Sequence, residues 1–239
     1  MKKLLFLCAV LPVWIAGGAF AASAETREVD VVWSTSDGSR TEIFYTNQLD
    51  GKWSEPTQIT DDYYDNMYPV VDRDQSGSPW VFWTAYSGGS MELRYAIAEN
   101  GAWQDSETLA SELKTNVAPS VIIDDEDVVW VVWSANNGGL DDIYFASSKN
   151  DTWTEPARVH PENTVADMLP EIGKDGTGSL AVSWQRLQDG EPVMLMSTFN
   201  DGEWSDAAVP EVEETESAEE IVELPDFIKN TSMVFVRIY

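Results

Sequence analysis

The chain has 239 residues, with 14 basic and 42 acidic side chains and a formal net charge of −28. So acidic a surface excludes the positive footprint that nucleic acids and anionic membranes require, and it is compatible with a cation, a basic partner or salty surroundings. One cysteine, Cys8, excludes a disulfide framework, and one histidine, His160, leaves little for a Ser-His-Asp triad or a histidine-based metal site.

The first 24 residues read as a secretory signal peptide. Met1-Lys2-Lys3 gives a positive start, Leu4 to Ala16 is apolar, and Ala22-Ser23-Ala24 is a small-residue cleavage site with the cut after Ala24. Cys8 lies inside the apolar run and lacks the small residue that precedes a lipoprotein cysteine. Removing Lys2 and Lys3 leaves 12 basic residues against 42 acidic ones. No other segment reaches the ~18 apolar residues of a membrane helix. The expectation is a periplasmic or secreted protein with no membrane insertion, no disulfide, no cofactor and no metal.

Beyond the leader, eight of the eleven tryptophans keep a fixed interval. Trp33, Trp83, Trp133 and Trp184 form one series, and Trp53, Trp103, Trp153 and Trp204 the other. Self-similarity at about 50 residues marks an array of one supersecondary unit, each copy burying its apolar face on the next. The units are placed at 25–66, 67–116, 117–167 and 168–209, followed by an acidic connector at 210–224 and closing strands at 225–239.

Each unit predicts four strands. The first opens at a proline, as in Pro69-Val70-Val71, Pro119-Ser120-Val121 and Pro170-Glu171-Ile172. The second is a buried run ending at the first tryptophan: Glu28 to Trp33, Pro79 to Trp83, Val128 to Trp133 and Ser179 to Trp184. The third alternates: Glu42 to Tyr45, Glu92 to Tyr95, Asp142 to Phe145 and Val193 to Met196. Tight turns follow at Asp50-Gly51, Asn100-Gly101, Asn150-Asp151 and Asp201-Gly202, which need φ > 0. The second tryptophan opens the fourth strand. No window carries a 3.6-residue apolar stripe. The expected fold is all-β, a β-propeller of about four four-stranded blades, with five units or a second copy of the chain as alternative ways to close the ring. Both tryptophan series are read as blade-packing residues.

The N-terminal unit lacks an innermost strand. Leu224-Pro225-Asp226-Phe227-Ile228, led by proline, is the predicted closing strand, although Met233 to Tyr239 resembles a further second strand. Between Leu187 and Ile228 there is no Lys or Arg, and 210–225 holds seven glutamates. That connector reads as a flexible acidic loop.

The unit "Val-x-Trp … Asp/Glu-Ile-Tyr … Asn/Asp-Gly-x-Trp-Ser-x-Pro" resembles the blades of the sialidase superfamily, the BNR or Asp-box repeat propellers. The turns at Asp50-Gly51-Lys52-Trp53, Asn100-Gly101-Ala102-Trp103, Asn150-Asp151-Thr152-Trp153 and Asn200-Asp201-Gly202-Glu203-Trp204 correspond to that box in degenerate form. The resemblance implies a six-bladed ring with an arginine triad, a tyrosine–glutamate nucleophile pair and an aspartate acid/base. Arg73, Arg94, Arg158 and Arg186 do not open first strands, where the family places its arginines, so sialidase activity is not expected. Asp72-Arg73-Asp74-Gln75-Ser76-Gly77 resembles half a calcium loop and reads as a plain hairpin.

Ligands are expected on the face holding the loops between strands two and three (Ser34 to Thr41, Thr84 to Met91, Ser134 to Asp141, Gln185 to Glu191) and between units. Tyr63, Tyr64, Asp65, Asn66, Asn116 and Asp167 are the candidate binding residues. The last three each precede a first-strand proline by three positions, as caps or as a polar ring. The functional expectation is a non-catalytic, exported binding module for a glycan, peptide or protein, with self-association available to complete the ring. A sialidase-like glycoside hydrolase is the alternative.

Overall fold

The computed structural model describes residues 28–36, 38–110, 112–150, 152–210, 224–225, 228, 231 and 233–239. The predicted leader and most of the acidic connector lie outside them. Among the described residues there is no helix, and hence none long and apolar enough to cross a membrane.

The strands fall into four antiparallel sheets. The first contains β1 (Val29–Ser36), β2 (Thr41–Leu49), β3 (Lys52–Trp53) and β4 (Thr57–Gln58). The second contains β5 (Asp65–Arg73), β6 (Pro79–Ser87), β7 (Ser90–Glu99), β8 (Ala102–Trp103) and β9 (Glu107–Ala110). The third contains β10 (Thr115–Ile123), β11 (Val129–Asn136), β12 (Asp142–Lys149), β13 (Thr152–Trp153) and β14 (Ala157–Arg158). The fourth contains β15 (Asp167–Lys174), β16 (Leu180–Gln188), β17 (Glu191–Asn200) and β18 (Glu203–Trp204). The last strand, β19 (Met233–Ile238), returns to the first sheet and pairs with β1.

Turn chemistry sets the hairpins. Asp50-Gly51, Asn100-Gly101 and Asp201-Gly202 all hold positive φ at both positions, the type I′ geometry that matches the strand twist. The hairpins between first and second strands rest on one aspartate each. Asp74 Oδ1 accepts from Ser76 and Ser78, and its Oδ2 accepts the Trp80 indole N–H. Asp124 repeats the arrangement, indole included, and Asp175 repeats the hairpin bonds alone, since Ala181 stands where Trp80 and Trp130 do. The Asp72 to Gly77 segment is therefore the plain hairpin of the sequence reading. Hydrogen bonds from Thr177 and its neighbours outweigh the small cost of burial and hold Asp175 below the usual carboxylate range. Because its folded pKa is depressed, Asp175 stabilises the fold above about pH 4 and that contribution is lost on acidification. In Asp175→Asn, the fall in Tm between about pH 5 and 3 should be shallower than in the parent, which parallel melting scans would reveal.

Four expectations are corrected. First strands begin four residues or so before their prolines, at Asp65, Thr115 and Asp167, and each proline sits at a β-bulge. Tyr68, Ala118 and Leu169, immediately before the prolines, adopt φ of +55°, +52° and +54°. A bulge is where a strand tolerates a residue with no N–H to donate. The loops foreseen from Thr84 to Met91 and from Gln185 to Glu191 are instead extended hairpins, paired out to Ser87 with Ser90 and Gln188 with Glu191. The fourth strand of the first three sheets is split into two short pieces. In the first and third, the split falls at Pro56 and Pro156, which cannot continue the ladder. Finally, the strand that returns to β1 is Met233–Ile238, not Leu224 to Ile228. Val234, Val236 and Ile238 share one apolar face there, whereas Ile228 is a buried plug against Val29, Val31 and Trp33.

Consecutive sheets pack face to face. Val32, Ile43 and Tyr45 of the first meet Val71, Val81 and Trp83 of the second. Phe82, Leu93 and Tyr95 meet Val121, Val131 and Trp133 of the third, and Ile122, Val132 and Ile143 meet Ile172, Val182 and Trp184 of the fourth. The second tryptophan series leans on the preceding sheet, with Trp103 edge-on to Tyr45 (5.2 Å), Trp153 to Tyr95 (5.5 Å) and Trp204 to Phe145 (5.4 Å). Both series are thus packing residues.

Polar ties link the innermost strands. Arg237 of β19 donates to Asp72 Oδ2 at 2.9 Å, and the same oxygen accepts the Ile123 N–H at 2.9 Å. Ser120 Oγ accepts the Ile172 N–H at 3.1 Å. Arg73 grips the fully buried Asp30 with two bonds of 2.6 Å and also pairs with Glu28. Tyr45 donates to Asp30 at 2.6 Å, and burial together with that charge pushes its phenol well above the usual range.

Candidate functional site

The indole N–H of each fully buried first-series tryptophan needs an acceptor, and the repeat supplies one at a fixed place. Trp83 donates to Asn66 Oδ1 (2.7 Å), Trp133 to Asn116 Oδ1 (2.9 Å) and Trp184 to Asp167 Oδ1 (2.7 Å). Asn66, Asn116 and Asp167 are fully buried, so they do not form the accessible polar ring that was one expectation. Asn116 also donates to the carbonyls of Met91 and Leu113, as a cap would.

The other three expected residues stay nearer the surface. Tyr63 is 84% exposed, with the Arg40 guanidinium 4.9 Å from its ring centroid. Tyr64 is half-buried beneath Arg94, at 4.8 Å, and its N–H donates to Asp62 Oδ1. Asp65 Oδ1 accepts the Thr41 N–H. Tyr63 is therefore the accessible ring of this group, and Tyr64 and Asp65 belong partly to the loop's own structure.

The third junction, between the third and fourth sheets, departs from the repeat. Glu42, Thr60 and Asn66 at the first junction, and Glu92, Ala110 and Asn116 at the second, are replaced by Asp142, His160 and Asp167. Ala85 and Ala135 become Arg186 in the same register. A buried aspartate needs a cation where asparagine did not, and Arg186 supplies it bidentately, at 2.7 and 2.9 Å. Asn163 donates to Asp167 Oδ2 at 2.7 Å. His160, only 5% exposed, stacks on Trp184 with centroids 5.2 Å apart. Its Nδ1 lies 2.9 Å from the Pro161 carbonyl and its Nε2 3.2 Å from Asp167 Oδ2. Arg158 pairs with Asp142 at 3.0 Å and reaches Glu162 at 3.4 Å. Burial pushes the Asp142 carboxyl above its usual range, against the pull of Arg158.

Above this cluster lies an open cleft of about 420 Å³, walled by Asp142, Tyr144, Arg158, Glu162, Asn163 and Leu140. It offers carboxylate and amide acceptors, guanidinium and amide donors, and some apolar surface, which is the mixture that suits a polar organic ligand. His160 was passed over in the sequence as a connector residue. The signal that marks it is the simultaneous loss of register identity at its own position, at Asp167 and at Arg186.

No protein-family model matches this sequence, and comparison with curated proteins gives no match. Similarity appears among solved structures. A protein of unknown function from Dyadobacter fermentans aligns with a TM-score of 0.59 at 12% identity, over 76% of this chain and 65% of that one. A GH62 hydrolase in complex with xylotriose aligns at 0.51 and 15%, over 77% and 66%. A xylan β-1,4-xylosidase from Bacillus halodurans aligns at 0.51 and 11%, over 83% and 45%. The chain spans less than two thirds of the length of each. The likeness is one of fold: antiparallel sheets arrayed as in the propellers of carbohydrate-active proteins.

Proposed function

We propose that the protein is an exported, non-catalytic saccharide-binding propeller, its four sheets forming a ring fastened by β19, with the cleft at Asp142, Tyr144 and Arg158 as its primary site. The observation that supports this most is the placement of polar and apolar groups on one face. Six of the nine exposed large apolar or aromatic side chains among the described residues, Tyr63, Tyr68, Tyr86, Leu140, Leu169 and Leu187, lie at the end of the sheets that bears the inter-sheet connectors. Sugars present hydroxyls in the ring plane and C–H surface above it, so a planar mixture of acceptors and apolar side chains is their chemical complement. The acidic surface favours a neutral over an anionic glycan. The likeness of fold to carbohydrate-active propellers supports the ligand class without fixing it.

A glycan array followed by calorimetry tests this. The wild type is expected to bind a neutral oligosaccharide, and Arg158→Ala to weaken that binding about ten- to hundredfold, the cost of one or two charge-assisted hydrogen bonds. A Tyr63→Ala/Tyr64→Ala protein should bind within about threefold of wild type if the cleft is primary. A larger loss would shift the site to those tyrosines, and no glycan binding at all would sink the proposal.

Hydrolysis is favoured by one observation: Asp142 and Glu162 flank Arg158 in the same cleft, two carboxylates of the kind that glycosidases use. Turnover of chromogenic glycosides that is abolished in both Asp142→Asn and Glu162→Gln would establish it.

A further inference from the structure

We propose that Asp142, His160 and Asp167 together bind one divalent transition-metal ion of the zinc class at the floor of the cleft. One ligand atom from each lies within 4.8 Å of the others, and all three residues are buried. His160 Nε2 is buried and has no hydrogen-bond partner among the described residues, although it faces Asp167 Oδ2 at 3.2 Å.

The tautomer follows from its other side. Pro161 O can only accept, so Nδ1 carries the proton and donates it at 2.9 Å. In the neutral ring Nε2 then presents a lone pair to an anionic oxygen. In that form two electron-rich atoms face each other at 3.2 Å. An electropositive occupant resolves the conflict. The spacing suits a metal: bonds of about 2.0–2.2 Å to nitrogen and oxygen, at angles between octahedral and tetrahedral, put the two ligand atoms about 3.0–3.4 Å apart.

The surroundings have the form that metal ligands need. A metal-bound histidine commonly donates its second N–H to a backbone carbonyl, and ligating carboxylates are themselves held by hydrogen bonds. Trp184, Arg186 and Asn163 hold Asp167, and Arg158 holds Asp142. At the other junctions the same three positions cannot do this. Thr60 donates its hydroxyl to Glu42 and closes the gap with a hydrogen bond, while Ala110 offers no ligand. Arg158 and Arg186 already offset the two carboxylates, so a bound dication keeps most of its charge. It would draw a fourth ligand, hydroxide or an anionic group, from the cleft that Asp142 lines.

The test uses tag-free protein dialysed against Zn²⁺ and then against buffer, with bound metal counted by mass spectrometry. One ion per chain is expected, with tetrahedral d–d absorption when Co²⁺ replaces it. Zn²⁺ at about a hundredfold excess over its Kd should raise Tm by roughly 5–10 °C. His160→Ala and Asp142→Asn should each remove that rise. Because His160 is the only histidine in the chain, nitrogen-15 NMR reads it without assignment, and this arm needs no variant to fold. Zn²⁺ is expected to shift the Nε2 resonance. The proposal is overturned if Zn²⁺ leaves that resonance unchanged. Stoichiometric metal that persists in both variants would overturn it equally, by placing the ion elsewhere.

Discussion

Trp133→Ala is expected to lower the unfolding free energy by about 3–5 kcal/mol, the upper range for truncating a buried aromatic. Two effects add. The indole is fully buried in the cluster joining the second and third sheets, together with Phe82, Leu93 and Val131. Its removal also strips Asn116 Oδ1 of its donor at a site with no water access, and an orphaned buried acceptor costs about 1–3 kcal/mol. Trp133→Phe separates them, since it restores most of the volume but not the N–H. Urea denaturation should place Trp133→Phe between the parent and Trp133→Ala. Against a total of about 5–15 kcal/mol for a domain of this kind, a loss below about 1 kcal/mol in Trp133→Ala would show that this inter-sheet cluster is not where stability resides.

Asp30→Ala should be comparably severe, at about 3–5 kcal/mol, because it leaves a mostly buried guanidinium without its main partner. Arg73 makes two short bonds to Asp30 and keeps Glu28, the Tyr45 hydroxyl and the Tyr239 ring once that carboxylate is gone. Tyr45 loses its acceptor at the same time. The paired replacement Asp30→Leu with Arg73→Met provides the contrast. Buried ion pairs repay little of their desolvation cost, so a packed apolar pair is expected to recover most of the loss. If the double variant is as unstable as Asp30→Ala, the network positions β1 against β5 of the neighbouring sheet by geometry and not by charge balance.

The repeat, the all-β class and the hairpin turns were legible because each rests on local chemistry. Asp50-Gly51 can be recognised anywhere, since few other residue pairs take positive φ twice. Strand limits were less legible. Pro69, Pro119 and Pro170 looked like strand openings because proline is barred from ordinary ladder positions, and a bulge with Tyr68, Ala118 or Leu169 in the left-handed region leaves no sequence mark. Closure was misassigned for a similar reason. Leu224 to Ile228 has the composition of an inner strand, but Arg237 can reach Asp72 only from β19, across 165 residues of chain.

At the candidate site the limits are different again. Tyr63 was identifiable as an exposed aromatic from its acidic neighbours. Asn66, Asn116 and Asp167 were identifiable as a set but not as indole acceptors, because that role depends on where Trp83, Trp133 and Trp184 point. His160 looked inert in a connector. It acquires chemistry only because β12 and β15 bring Asp142 and Asp167 beside it from 18 residues upstream and seven downstream. Periodicity and turn residues act over a few positions, so the amino-acid order alone specifies the repeating unit. Which copy departs from the pattern to build a charged, water-excluding site is settled by packing between sheets, where burial turns a single Asn-to-Asp change into a demand for a counter-charge.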